Sequence, residues 1–241
     1  MILRAENNIL YSYDEIKSLI ESDLTNVFNQ IKGSFMPNSK LFESINYSLD
    51  LTGKFKRPLL LYLSCLAING CVDNLKYIAA SIELMHSASL IHDDIIDEGI
   101  KRRGKESVYH KFGKTTAILT GDYLIFYAQK LISEMECDAK LVLGILSRLN
   151  NVYINMCIGL DLEESIVSQF EVNQSDYYKM IRYKTAEFFA TVCEVGAIFA
   201  KGNDKQIKAL CEFGMNLGMA YQIKDDLTSL IDSSSISDKT L

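Results

Sequence analysis

Proline and histidine are scarce in this chain: 2 and 3 in 241 residues, beside 13 glycines. That supply of turn residues argues against an all-β fold. Six cysteines stand at 65, 71, 137, 157, 193 and 211 and form no C-x-x-C pair. With so few histidines, a zinc site has almost no ligands. The cysteines read as reduced, buried thiols of a cytoplasmic protein. Long apolar runs are missing: a stretch such as 59–68 is too short to span a bilayer, so no transmembrane segment is expected. The N-terminal MILRAENNILYSY has neither the apolar core nor the cleavage site of a signal peptide. Basic residues are not in excess, with 25 against 31 acids and a net charge of −6, which excludes a broad nucleic-acid face. Hydrophobic residues make up 48% and charged residues 23%, which excludes disorder and low complexity. A chain of this length buries about 70–75% of its unfolded surface and stands without staples.

What is present is helical periodicity. Ser12 and Glu15 form a capping-box pattern, followed by a stripe through Ile16, Leu19, Ile20, Leu24, Val27, Phe28 and Ile31 that ends near Gly33. A short helix fits 39–51, and Pro58 suits the first turn of another reaching about 68. Long helices fit 74–98, 114–136, 138–172, 175–201 and 204–231, with the Ser-rich 232–241 as loop. No segment alternates with period two long enough for a convincing strand. The pattern predicts a single all-α domain whose core helices are apolar on most faces.

The chemistry concentrates in a few places. His92-Asp-Asp-Ile-Ile-Asp97 puts Asp93 and Asp97 one turn apart on one helix face, with Asp94 beside them. Like charges at that spacing repel, but they make oxygen donors for a hard divalent cation. The apolar and small residues 87–91 run straight into these acids, which places them at the mouth of a core. Lys101-Arg102-Arg103-Gly104 supplies guanidinium forks suited to phosphate. Gly53-Lys54-Phe55-Lys56-Arg57-Pro58 is a cationic turn entering a helix. Asp225-Asp226 repeats the acid pair behind Gln222, and Lys184-Thr185 adds a cation and a hydroxyl to an apolar helix. Two acid pairs and several separate cations point to a metal-bridged diphosphate pocket above an apolar hole.

In that order, Gly53-Lys54…Arg57-Pro58, Glu83-x-x-His86…His92-Asp93-Asp94, Asp97, Arg102-Arg103-Gly104, Gly121-Asp122, Lys184-Thr185 and Gln222-x-x-Asp225-Asp226 resemble the trans-isoprenyl diphosphate synthases of the polyprenyl synthetase family. The resemblance runs from about residue 50 to 239. It implies an antiparallel helical bundle around a deep hydrophobic cavity, working as a homodimer. It also implies Mg²⁺ held by Asp93, Asp94, Asp97, Asp225 and Asp226 against an allylic diphosphate. Arg102, Lys184, Thr185 and Gln222 would contact that substrate. Lys54, Arg57, His86 and Arg103 would bind isopentenyl diphosphate, and Lys239 falls where the family has another diphosphate-binding lysine. The implied reaction ionises the allylic C–O bond, lets the isopentenyl double bond attack, and then loses a proton. A terpene cyclase and a regulatory subunit of a heteromeric synthase are the alternative readings; a cyclase does not need the isopentenyl-binding cations.

Three departures from the family pattern stand out. Ser229 occupies the place of a third acid in the second motif. Leu160, in Gly159-Leu-Asp-Leu-Glu163, replaces a polar residue. The family also continues through further helices past the position of Leu241, so 1–241 reads as a polyprenyl synthetase domain cut short at its C-terminus. Ala88 and Ser89, about one turn below Asp93, are small where aromatic residues close the cavity of short-chain members. Met85, with Ile82 below it, is then the expected floor, giving a product of C20 or longer. Tyr123, Phe126 or Tyr127 of a neighbouring helix is the alternative floor.

Overall fold

In the computed structural model the described residues are 2–4, 10–33, 39–50, 53–68, 70–167 and 171–237. The chain enters through a short antiparallel pair, β1 (Ile2–Arg4) and β2 (Leu10–Ser12), which the periodicity did not foretell. Helix α1 (Tyr13–Gly33) follows. Its start is the expected capping box: Glu15 Oε2 accepts from Ser12 N at 2.7 Å, and Ser12 Oγ accepts from Glu15 N at 3.3 Å. Those bonds satisfy donors that a helix start leaves open. The expected stripe, Ile16, Ile20, Leu24, Val27, Phe28 and Ile31, is buried.

Helix α2 (Lys40–Asp50) precedes α3 (Lys56–Ala67), where Pro58 lies in the first turn and needs no amide hydrogen. Helix α4 (Leu75–Ile96) is the axis of the bundle, buried on nearly every side by α1, α3 and α6. Past its end, β3 (Lys101–Arg102) and β4 (Lys105–Glu106) form a tight hairpin, and α5 (Val108–Phe112) is capped by Ser107, which accepts from His110 N. Helices α6 (Lys114–Ser133) and α7 (Ala139–Val167) complete one wall. The single helix expected over 175–201 is instead α8 (Gln174–Ile181), a π-helical turn (Arg182–Ala186) and α9 (Glu187–Phe199). Helix α10 (Asp204–Ser237) runs past the expected end at 231 and packs along α9.

The expectation that every apolar run is too short for a bilayer needs correction. Residues 139–166 of α7 are long enough, and an 18-residue window within them reaches a mean hydropathy of 1.3. Three of its polar residues pair with neighbouring elements. Arg148 Nε meets Glu194 at 2.9 Å, Asn155 Nδ2 meets Glu187 at 2.6 Å, and Glu163 pairs with Lys184.

Candidate active site

A cavity of about 1000 Å³ opens between α4, α6, α7, the π turn and α10. Its wall brings together Arg57, His86, Ser89, Asp93, Asp97, Arg102, Arg103, Lys184, Thr185, Gln222 and Asp225, all singled out in the sequence. Apolar side chains continue it, among them Ile95, Ile118, Met156 and Leu160. Leu160 thus offers the cavity an aliphatic surface where the family pattern has a polar one.

Asp93 and Asp97 project from the end of α4, and Asp225 reaches the same space from α10. Burial pushes the Asp93 carboxyl up to about 6, and although Lys184 and Arg102 pull it down, Asp97 and Glu163 add to the rise. An acid so raised is under-compensated by the protein's own cations. Among the described residues, no three His, Cys, Asp or Glu side chains converge as a preformed metal cage. The donor set nevertheless suits hard cations that are also held by a ligand's phosphates, since carboxylate oxygens are the donors such ions take.

Asp94 does not line the cavity. It is 3% exposed and grips Arg102: Oδ1 accepts from Nη2 at 2.5 Å and from Nε at 3.1 Å. The pair raises the Arg102 guanidinium's affinity for its proton against its burial. Asp94 orients a cation here, because the hairpin folds back onto this side of α4. Asp226 is likewise taken up by protein partners: Tyr177 Oη donates to Oδ2 at 2.6 Å and Gln222 Nε2 to Oδ1 at 2.8 Å. Gln222 Oε1 in turn accepts from Thr185 Oγ1 at 2.7 Å. The chain Tyr177–Asp226–Gln222–Thr185 therefore locks the amide that faces the cavity. Ser229 Oγ donates to the carbonyl of Asp225 at 3.1 Å and is exposed.

Lys184 and Thr185 reach the cavity from the π turn. A π turn widens the helix locally and re-aims its side chains. Gly159 makes room for it: a Cβ there would stand 2.6 Å from Lys184 Cα, closer than any Cβ approaches. Lys184 Nζ is held by Glu163.

On the inner wall, Arg57 lies beside the rings of Phe188 and Phe189, 4.9 and 5.0 Å from their centroids. Burial lowers its pKa to about 10, so it stays charged. Burial and the neighbouring guanidiniums hold the His86 imidazole well below its usual range, so it is neutral. Arg57 Nε and His86 Nδ1 are buried without a hydrogen-bond partner. Lys54 is exposed and stands apart from the cavity wall. Lys239 lies outside the described residues.

Two of the expected floor residues are not among those lining this cavity. Ala88 and Met85 are 0% and 1% exposed, packed in the core instead of lining the cavity. Of the three small or flexible α4 residues expected there, Ser89 reaches the wall. Of the alternative floor, Phe126 points outward at 70% exposure, and Tyr123 and Tyr127 stack on each other at 5.5 Å off the wall. Sequence reasoning missed Tyr153 and Tyr177; it included Glu83, a single acid inside an apolar run, among the motif residues but gave it no role.

A family model described as Polyprenyl synthetase matches residues 38–241. The chain is 33% identical to a geranylgeranyl diphosphate synthase of Saccharolobus solfataricus, over 91% of this chain and 67% of that protein. It is 31% identical to an octaprenyl diphosphate synthase of Haemophilus influenzae, over 90% and 65%. The solved geranylgeranyl pyrophosphate synthetase from Pyrococcus horikoshii superposes with a TM-score of 0.83 at 30% identity, covering 89% of this chain and 66% of that one. The matched length is 51% to 67% of such relatives. Shared sequence over most of the chain, shared fold and a cavity carrying the family's motifs place this chain in the polyprenyl synthetase family.

Proposed function

We propose that the chain is a trans-prenyltransferase, condensing isopentenyl diphosphate with an allylic diphosphate to give a trans-polyprenyl diphosphate of C20 or longer. The observation that carries this reading is one cavity whose wall combines carboxylates, guanidiniums and aliphatic side chains. The inner cations, Arg57 and Arg103 with neutral His86, favour it over a cyclase, which has no second diphosphate to bind.

Asp93, Asp97 and Asp225 would hold Mg²⁺ against the allylic diphosphate. When bound, the metal supplies positive charge where the leaving group becomes negative. Arg102, fixed by Asp94, and Lys184, fixed by Glu163, add charge-assisted hydrogen bonds to the same group. Thr185 and the locked Gln222 orient it. Arg57, Arg103 and His86 place isopentenyl diphosphate so that its double bond faces the allylic C1. The C–O bond breaks with its electron pair leaving on diphosphate. The π electrons of the isopentenyl group form the new C–C bond, and a proton then passes to the departing diphosphate. Ile95, Met156 and Leu160 keep water from the cation.

The working form we propose is a homodimer. Leu119 and Phe126 on α6 and Leu143 and Ile154 on α7 are 49%, 70%, 65% and 57% exposed, apolar surface that a second copy would cover. The test of function is to incubate the purified chain with Mg²⁺, labelled isopentenyl diphosphate and allylic primers of increasing length, then separate products by chain length. Extended prenyl chains support the reading. Cyclic hydrocarbons, or no consumption of isopentenyl diphosphate, overturn it.

A further inference from the structure

Glu83 sits in the middle of α4, 2% exposed, between Ile82, Leu84 and Met85, which pack in the core. A carboxylate is tolerated at such a place only when its charge is met. The Gly53 backbone N–H donates to it, and the charges of Arg57 and Arg103 act on it, while burial still holds its pKa above the usual range. Arg103 lies against Gly53 so closely that a Cβ there would stand 2.6 Å from Nη2 and 2.7 Å from Cζ. Arg57 and Arg103 repel one another, and Glu83 opposes that repulsion for both. Both arginines line the cavity and Glu83 does not. His86, three residues on, lines the same cavity.

We infer that Glu83 is a positioning residue of the inner diphosphate subsite: its carboxylate, fixed by the Gly53 amide, holds the Arg57 and Arg103 guanidiniums together on the cavity wall. The inference rests on the reading that this subsite takes isopentenyl diphosphate. The immediate α4 neighbours of Glu83, Ile82, Leu84 and Met85, are apolar, and the charges acting on it belong to the two arginines.

The test uses the full chain without metal, titrated calorimetrically with isopentenyl diphosphate, for the wild type, Glu83→Gln and Gly53→Ala. Gln keeps the shape and removes the charge. The Gly53→Ala methyl crowds Arg103 from the loop and leaves the core untouched, so it decides the matter if Glu83→Gln does not fold. Each variant should bind isopentenyl diphosphate about tenfold or more weakly and show a matching rise in its KM, with the allylic KM and kcat changed by less than about twofold. Wild-type affinity in either folded variant, or equal rises in both KM values, overturns the inference. If the wild type binds isopentenyl diphosphate but does not condense it, the proposed activity fails while the affinity comparison still decides this point. If the wild type does not bind it at all, the subsite reading fails and takes this inference with it.

Discussion

Asp93 illustrates how a single residue can be set against the fold it sits in. Its carboxyl rises from the usual 3.8 to about 6 because burial disfavours the charged form. The folded chain therefore holds this proton more tightly than the unfolded chain does. The resulting stabilisation is complete below about pH 4 and is lost as pH rises through 6. Asp93→Asn abolishes that loss. In metal-free protein its melting temperature should exceed that of the wild type at pH 8, and the two should converge near pH 4. Turnover with Mg²⁺ should meanwhile fall on the order of 10³-fold or more, as when an electrostatic stabiliser is removed. A variant melting lower at pH 8 would show that Lys184 and Arg102 already satisfy the charge. The spacing of Asp93 and Asp97 was legible in the sequence because helix geometry alone puts them on one face. The partners of Asp94 and Asp226 were not, because Arg102 arrives on a hairpin and Tyr177 from 49 residues away.

Among the elements, those with a continuous apolar stripe could be read closely: α1, α4, α6 and α10 begin within a residue or two of expectation. The interruption of the helix expected over 175–201 could not be read, since nothing in Arg182–Ala186 breaks a helix by propensity. The extra residue per turn depends on α7 passing close enough at Gly159 to seat the widened backbone. Gly159→Ala would drive a methyl into the Lys184 backbone, which cannot swing aside as a side chain would. We expect a loss of about 1–3 kcal/mol in unfolding free energy, in the range of overpacked interiors. The allylic KM should rise about tenfold or more as Lys184 and Thr185 shift, with the isopentenyl KM nearly unchanged. Denaturant unfolding and two-substrate kinetics check both. An unchanged allylic KM would detach the π turn from substrate binding. The two short strand pairs escaped the sequence reading for a simpler reason: two or three residues carry no measurable alternation.

For the molecule as a whole, the cavity's reach and the outer face are adjoining problems, because Ile118 lines the cavity and is also 40% exposed on α6. Ser89→Phe would place a ring about one helical turn, roughly 6 Å, below Asp93 and should shift products toward shorter chains. Ala88→Phe has no cavity to enter. It should lower stability by about 1–3 kcal/mol through overpacking and leave the product distribution alone. Product chromatography separates the two, and a shift in the Ala88 variant only would reverse the assignment of the wall. Phe126→Lys puts a charge in the middle of the exposed apolar face. Sedimentation should then show one chain per particle where the wild type shows two; identical profiles would move the contact elsewhere.

Arg102 and Arg103 are neighbours in the chain, yet one faces Asp94 and the other Glu83. The register pairs Arg102 with Lys105, so Arg103 and Gly104 form a two-residue turn, both with positive φ, 53° and 79°. Such a turn fits the twist of a tight hairpin. Two adjacent codons thus serve two different acids beside one cavity. Inheritance can exchange side chains around them, but an inserted or deleted triplet between Lys101 and Arg102 would shift both arginines the same way and leave one of the two acids without its guanidinium.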